Sequence, residues 1–314
     1  MKPILSVNRL ASIIGIPAAR LRAIAAHVEQ HYRHDVLWQG DKPRQLKIPR
    51  SELKDVQRRI LTKVLAPIPL ADCAHGGVRG HSPRTNASQH LGQSFVAVCD
   101  VRSFFPNVRH SVVYRMFRHT LGFGTDVASM LTKLVTFEAQ LPQGAPTSTA
   151  VANLLLTAPV DEPLARESRS CDVRYTRFVD DIAFSGSNPA KLINHAGRLL
   201  SRVGLRLHRM KAPPGNKSKL KLVSRNAPQE VTGLLVNSSA GPSISRARRD
   251  NIRLAILQLR YAPAGTRAKA IASIRGRIAH LRQFNPGAAK RMTRCFASHL
   301  TKIGAVEGRA RECH

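Results

Sequence analysis

The stretch Tyr175-Thr176-Arg177-Phe178-Val179-Asp180-Asp181-Ile182-Ala183-Phe184-Ser185-Gly186 decides how this chain is read. A run of β-prone residues rises into two adjacent carboxylates and a second such run descends from them, the pattern of a hairpin with both charges at its tip. Neighbouring carboxylates repel each other in water. They make chemical sense around a divalent cation, because hard oxygen ligands suit Mg²⁺ or Mn²⁺. The first chemistry to expect is therefore metal-assisted phosphoryl transfer.

A third carboxylate lies upstream. Ser94 to Cys99 reads as a buried strand that delivers Asp100 at its end. Set beside the strand carrying Asp180, it would bring the carboxylates to one sheet edge, where two metal ions activate an attacking hydroxyl and stabilise leaving pyrophosphate. Successive side chains of extended backbone point opposite ways, so Asp180 and Asp181 need not be equal ligands. Asp100 and Asp180 are expected first, Asp181 second.

Around these strands, helical and extended patterns interleave. Residues 5–33 carry the spacing of two short helices broken at Gly15 to Pro17, and strand-like pieces flank the turn Gly40-Asp41-Lys42-Pro43. Ser51 is placed to cap a helix that Pro67 stops. A Gly-rich basic segment runs from Cys73 to His90. Beyond Asp100, Pro106 breaks the chain and a helix follows to Gly122; another spans residues 126–139. The loop Leu141 to Ser148 leads into a helix capped by Ser148, which Pro159 is expected to kink or end. After the hairpin come a helix near 190–203 and short strands at 205–207, 219–223 and 231–236. Past Gly241-Pro242 the pattern is wholly helical, with apolar stripes such as Ile252, Ile256 and Leu259, and arginines on the other faces.

Composition points to a polyanionic partner. The 314 residues carry 50 Lys plus Arg against 19 Asp plus Glu, a formal charge of +31. Such a field attracts nucleic acid and opposes self-association. Arginines number 36 and lysines 14, a bias suited to bidentate phosphate contacts. Residues 201–314 hold 24 basic and 4 acidic groups, so the last third reads as a nucleic-acid grip. The five cysteines form no C-x-x-C pair and no run reaches the length of a membrane span, which leads us to expect a soluble, cytoplasmic protein without a zinc ribbon or disulfide framework.

Three segments taken together carry a family resemblance. Asp100-Val-Arg-Ser-Phe-Phe105-Pro-Asn, Leu141-Pro-Gln-Gly-Ala-Pro-Thr-Ser148 and Tyr175-x-Arg-Phe178-Val-Asp-Asp181 stand in the order and spacing of the palm motifs of reverse transcriptases. His75 to Ser82 resembles the fingers segment of the bacterial enzymes. Asn86-Ala-Ser-Gln-His90 and Val231-Thr232-Gly233 are similar to the N-A-x-x-H and V-T-G elements of the retron branch. The resemblance covers about Lys42 to Met292. It departs from the family's Tyr-Ala-Asp-Asp turn at Phe178 and Val179, and has His208 where Asn is common ahead of the family's Lys.

The resemblance implies an α+β right hand: N-terminal helices and fingers over 1–95, an RRM-like palm with an antiparallel sheet over 96–240 (with a helical insertion at about 122–147), and a basic helical thumb over 241–314. It implies an RNA-directed DNA polymerase of retron type that copies part of its own structured noncoding RNA into branched, RNA-linked DNA (msDNA), primed from a guanosine 2′-hydroxyl, with a role in antiphage defence. Asp100, Asp180 and Asp181 would be catalytic ligands of two Mg²⁺, with Mn²⁺ an alternative. Phe105 would lie beneath the incoming sugar, and Gln143 and Gly144 near nucleotide and template. Arg79 would hold triphosphate and Lys211 would sit near the leaving pyrophosphate. Asn86 and His90, read as sharing a helix face, would brace the fingers or touch RNA, and Arg249, Arg253, Arg275 and Arg282 would grip duplex. The partners implied are the RNA, its RNA–DNA product, dNTPs and an effector or toxin protein. Two other readings stay open: a non-retron or intron-like reverse transcriptase, and an inactive RNA-binding protein.

Overall fold

A computed structural model describes residues 2–39, 42–208 and 220–312. At its centre is a four-stranded antiparallel sheet in the order β4 (Val173–Phe178), β5 (Asp181–Gly186), β3 (Phe95–Asp100), β6 (Lys221–Ser224). Both faces of β3 and β5 are covered, which explains why their sequences are nearly continuous apolar runs. Ala97, Cys99, Ile182 and Phe184 face one apolar cluster, while Val96 and Ala183 face another. The pairs Ala97 with Phe184, Cys99 with Ile182, and Val98 with Ala183 set the register.

The first cluster joins the sheet to the N-terminal half. Helices α1 (Val7–Ile14) and α2 (Ala18–Ala26) pack there with α3 (Ser51–Ile60), α5 (Phe104–Asn107), α6 (His110–Arg115) and α10 (Ala190–Arg202), and β1 (Tyr32–Gln39) pairs β2 (Lys42–Pro49) as an antiparallel arm. The second cluster joins the opposite sheet face to the C-terminal helices. It takes in Ala87 from α4 (Pro83–Ser88), Val231 and Leu234 from the small pair β7 (Glu230–Val231) and β8 (Leu234–Leu235), and residues such as Ile252, Ile278 and Met292. These last lie on α11 (Arg246–Gln258), α12 (Ala264–Arg282) and α13 (Pro286–Glu312). Cys73, Cys99, Cys171 and Cys295 form no disulfide.

Several local expectations need correction. Ser51 is the first helical residue and makes no cap, Arg50 preceding it. Ser148 likewise opens α8 (Ser148–Leu156) from inside and donates its hydroxyl to the Pro142 carbonyl at 2.6 Å. The helix expected over 126–139 is α7 (Thr125–Val135): Thr136 is extended, φ −112° and ψ 158°, and Glu138 and Ala139 beyond it take positive φ, 48° and 58°. Residues 231–236 are two strands turning at Thr232-Gly233. Nor does Pro159 end its helix. The α8 rod widens into a π-helical turn, Thr157–Asp161, and continues as α9 (Glu162–Ser170). Proline has no N–H to donate and its ring presses on the carbonyl one turn back; a widened turn relieves both and keeps the rod unbroken. Lys219, in the strand expected at 219–223, and Lys211 lie outside the described residues.

Candidate active site

Strands β4 and β5 pair up to Phe178 opposite Asp181, leaving Val179 and Asp180 as a two-residue turn. Val179 has φ 60°, a left-handed conformation that costs a β-branched residue about 1–2 kcal/mol. The neighbouring strand fixes the third carboxylate: Asp100 stands directly opposite Asp181, and the Val101 N–H donates to the Asp180 carbonyl at 3.0 Å. Directly paired residues share a sheet face. The two strand carboxylates therefore project together, and the Asp180 carboxyl joins them through a hydrogen bond with Asp100.

The electrostatics follow from this crowding. The Asp180 carboxyl is pushed up to about 6, first by burial and then by the charges of Asp181 and Asp100. A hydrogen bond between two carboxyls requires one proton between them, which is the state such a pK favours. Among the described residues, no three acidic, imidazole or thiol side chains are already disposed about one point as a bound metal ion would dispose them. The donor types themselves suit a hard divalent cation: three carboxyls stand on neighbouring positions of β3 and the hairpin, near enough that the charges of Asp181 and Asp100 raise the cost of ionising Asp180.

These carboxylates line a cleft of about 800 Å³. Among the described residues its cations are Arg44 of β2, Lys221 of β6 and Arg248 of α11. Sequence reasoning missed all three, because in a chain so rich in arginine no local pattern marks them. Phe105 lines the cleft half-buried, edge-on to the buried Phe104 with ring centroids 5.3 Å apart. One ring of the pair packs inward and the other faces the cleft.

The remaining expected residues scatter. Gln143 and Gly144 are absent from the cleft lining; the Gln143 carbonyl accepts from the Lys47 N–H at 2.8 Å. Gly144 has φ 120°, and a Cβ there would lie 3.2 Å from the Lys47 carbonyl. This glycine lets the 141–148 loop lie against β2. Arg79 is exposed on its loop and does not line the cleft. Asn86 lies in the cleft wall, 1 % exposed, with an amide oxygen that has no partner.

Helix α4 ends at Ser88, so Asn86 and His90 do not share a helical face. His90 has no exposed surface and bonds Thr176 Oγ1 and Ser185 Oγ, both at 2.7 Å. Its place is a brace between α4 and the hairpin strands, which bars it from touching RNA. Arg249 and Arg253 line a separate groove of about 510 Å³ with Arg246 and Arg291, and Arg253 bonds Asp250 at 2.8 Å. Arg275 and Arg282 are exposed on α12.

Below the turn lies a buried polar cluster. The Arg177 guanidinium donates to Asp161 through Nε (2.9 Å) and Nη2 (2.6 Å), and through Nη1 to Asn153 Oδ1 (2.8 Å) and the Val179 carbonyl (2.9 Å). The Tyr175 hydroxyl donates to Asp161 at 2.8 Å.

The sequence profile described as reverse transcriptase (RNA-dependent DNA polymerase) matches residues 33–231. Among curated proteins the chain is similar to the retron Mx65 reverse transcriptase of Myxococcus xanthus, 31 % identical over 311 residues, covering 91 % of this chain and 70 % of that one. The retron Mx162 reverse transcriptase of the same organism is 28 % identical over 97 % of this chain and 68 % of its own. The retron Ec86 reverse transcriptase of Escherichia coli is 28 % identical over 80 % and 77 %.

Proposed function

Because the chain belongs to the reverse transcriptase family and is an RNA-directed DNA polymerase of retron type, we propose that it copies part of its own structured noncoding RNA into msDNA. Priming is from a guanosine 2′-hydroxyl, and the product serves antiphage defence with an effector protein as partner. The observation that carries the chemistry is that Asp100, Asp180 and Asp181 line one cleft, Asp100 directly opposite Asp181 in the sheet register, with Arg44, Lys221 and Arg248 in the same lining.

In this reading the three aspartates hold two Mg²⁺ ions, which when bound would sharpen the attacking hydroxyl and neutralise charge on the leaving pyrophosphate. Asp100 and Asp181 orient from rigid strands, while Asp180 gives up the proton it shares with Asp100. Arg44 of β2, which lines the cleft, is better placed than Arg79, which does not, to steady the triphosphate of a dNTP. Phe105 sets a ring where a ribose 2′-hydroxyl would meet it, favouring deoxynucleotides. Fingers over 1–95, palm over 96–240 and thumb over 241–314 follow the same reading. Arg249, Arg253, Arg275 and Arg282 face the phosphates of the duplex, which is held by backbone and shape. No described helix is long and apolar enough to cross a membrane; we place the enzyme in the cytoplasm.

The test supplies the protein with the structured RNA encoded beside its gene, dNTPs and Mg²⁺. DNA joined to RNA through a 2′ linkage is expected, and is lost in Asp180→Asn and Asp181→Asn. Undiminished product from both variants would overturn the assignment.

A further inference from the structure

We propose that the buried cluster of Asp161, Arg177 and Asn153 is a positioning device for the hairpin. It holds the backbone of the Val179-Asp180 turn and fastens the segment Cys73 to Gly76 against it. The inference rests on Asp180 and Asp181 being the metal-holding carboxylates.

A fully buried arginine is rare unless its donors are answered. Arg177 is the largest side chain with no appreciable exposure among the described residues, and Asp161 is equally buried. Four of its five N–H groups are used: two grip Asp161, one reaches Asn153, and one crosses to the Val179 carbonyl. That last bond ends on the residue forced to positive φ. Left-handed valine persists only where surroundings over-determine it, and here the guanidinium fixes the peptide that leads directly into Asp180.

Asp161 reaches this place through the π-helical turn that Pro159 occupies. The widened turn ends at Asp161, whose carboxylate meets the Arg177 fork in a bidentate pair, the geometry that gives such pairs their directional strength. π-Turns recur at functional sites. Here the widened turn has an identifiable product, a fixed carboxylate beneath the hairpin.

The cluster also ties a second segment to the turn. The Arg177 N–H donates to the Cys73 carbonyl and the His75 N–H to the Arg177 carbonyl, both at 2.8 Å, so residues 73–75 meet β4 in a single parallel bridge at Ala74 and Arg177. Asn153 extends this by donating its amide to the Gly76 carbonyl at 2.8 Å while accepting from Arg177. Gly76 is pressed so closely on the turn that a Cβ would lie 2.3 Å from the Val179 nitrogen. Asn153 and Arg177 therefore set one relative position for three things: the turn, the carboxylates it carries, and the basic loop that begins at Gly76.

The experiment uses the full chain on poly(rA)·oligo(dT) with dTTP and Mg²⁺, and follows Mn²⁺ binding in parallel by electron paramagnetic resonance. Arg177→Lys keeps the charge but loses the fork. It is expected to lower kcat about 100-fold through displacement of the carboxylates, to leave KM for dTTP within about threefold, and to weaken Mn²⁺ binding about tenfold. The combined variant Asp161→Leu, Arg177→Met, Tyr175→Phe replaces the ion pair and its tyrosine by apolar groups of similar volume, an exchange folds commonly tolerate, and leaves Asn153 its bond to the Gly76 carbonyl. It is expected to melt within about 5 °C of wild type and to be as impaired as Arg177→Lys. Gln57→Leu removes a buried amide bonded to Tyr32 and the Leu134 carbonyl, far from the turn; it should lower the melting temperature and leave kcat alone.

A combined variant that folds and keeps kcat and Mn²⁺ affinity within about threefold of wild type overturns the proposal. Should it not fold, Asn153→Ala, which leaves the ion pair whole, decides by the same criterion. Wild-type protein that binds Mn²⁺ yet extends no primer refutes the role assigned to the carboxylates instead, and the Mn²⁺ comparison still decides the positioning.

Discussion

Replacing Asp180 by Asn should stabilise the metal-free protein while abolishing its chemistry. The Asp180 carboxyl rises from 3.8 to about 6, by burial first and by Asp181 and Asp100 next. The folded state therefore binds this proton more tightly than the unfolded chain. Stability from that proton is full below about pH 4 and is lost as pH climbs to about 6. Two units correspond to a ceiling of about 3 kcal/mol; partial exposure and relaxation of the turn reduce this to about 1–2 kcal/mol. Asparagine keeps the shape, carries no charge and can still donate to Asp100. In EDTA at neutral pH the variant should melt about 2–5 °C above wild type. The gap should close toward pH 3, where both side chains are neutral. Saturating Mg²⁺ should raise wild type, by about 2.7 kcal/mol at a hundred times its Kd, and raise the variant far less. Thermal melts followed by circular dichroism across pH, with and without Mg²⁺, read all of this. A variant less stable than wild type at pH 7 in EDTA, or a gap that ignores pH, refutes the electrostatic reasoning.

Further outcomes can be checked singly. Replacing His90 by Leu leaves the Thr176 and Ser185 hydroxyls unanswered and should cost about 2–4 kcal/mol in urea melts. Burial holds the His90 imidazole down at about 3, so wild type should lose stability as pH falls below about 6.5, a loss absent from the variant. Gly144→Ala meets the Lys47 carbonyl at a φ reserved for glycine; about 1–3 kcal/mol should be lost, visible as faster proteolysis of the β1–β2 arm. Phe105→Ala should admit ribonucleotides, narrowing the dNTP over rNTP preference by about tenfold or more in single-nucleotide kinetics. Removing Arg249 and Arg253 together should flatten the salt dependence of RNA binding by about two units of log–log slope, with kcat on bound primer unchanged.

Much of the centre could be read before any coordinates. The hairpin declared itself because an apolar, β-prone run on each side of Asp180-Asp181 leaves only a turn between, and β3 because six apolar or small residues precede Asp100. What periodicity cannot supply is partnership. Nothing in the text of the chain says that β3 lies between β5 and β6, or that Arg44, 56 residues before Asp100, reaches the same cleft. Arg177 was the deepest surprise: a charged residue in a strand ordinarily points to water, and its partner Asp161 sits beyond a proline that propensity reads as a helix end. His90 was misplaced for a similar reason. A histidine four residues from an asparagine suggests a shared helix face, yet the helix stops at Ser88 and tertiary hydroxyls claim the ring. The C-terminal stripes were legible because three amphipathic helices packed on each other keep a 3.6-residue period.

The strand order also imposes a timetable. Because β3 is flanked by β5, which leaves the ribosome some eighty residues later, and by β6, later still, the strand that ends at Asp100 must wait for both neighbours while β4 and β5 can close on each other at once. Such distant pairings are slow to form. Catalytic competence is therefore among the last properties this chain acquires. A truncated or stalled product that ends just past the Asp180-Asp181 hairpin can set β3 beside β5 but lacks Lys221 and Arg248 of the cleft and most of the second apolar cluster that covers the sheet.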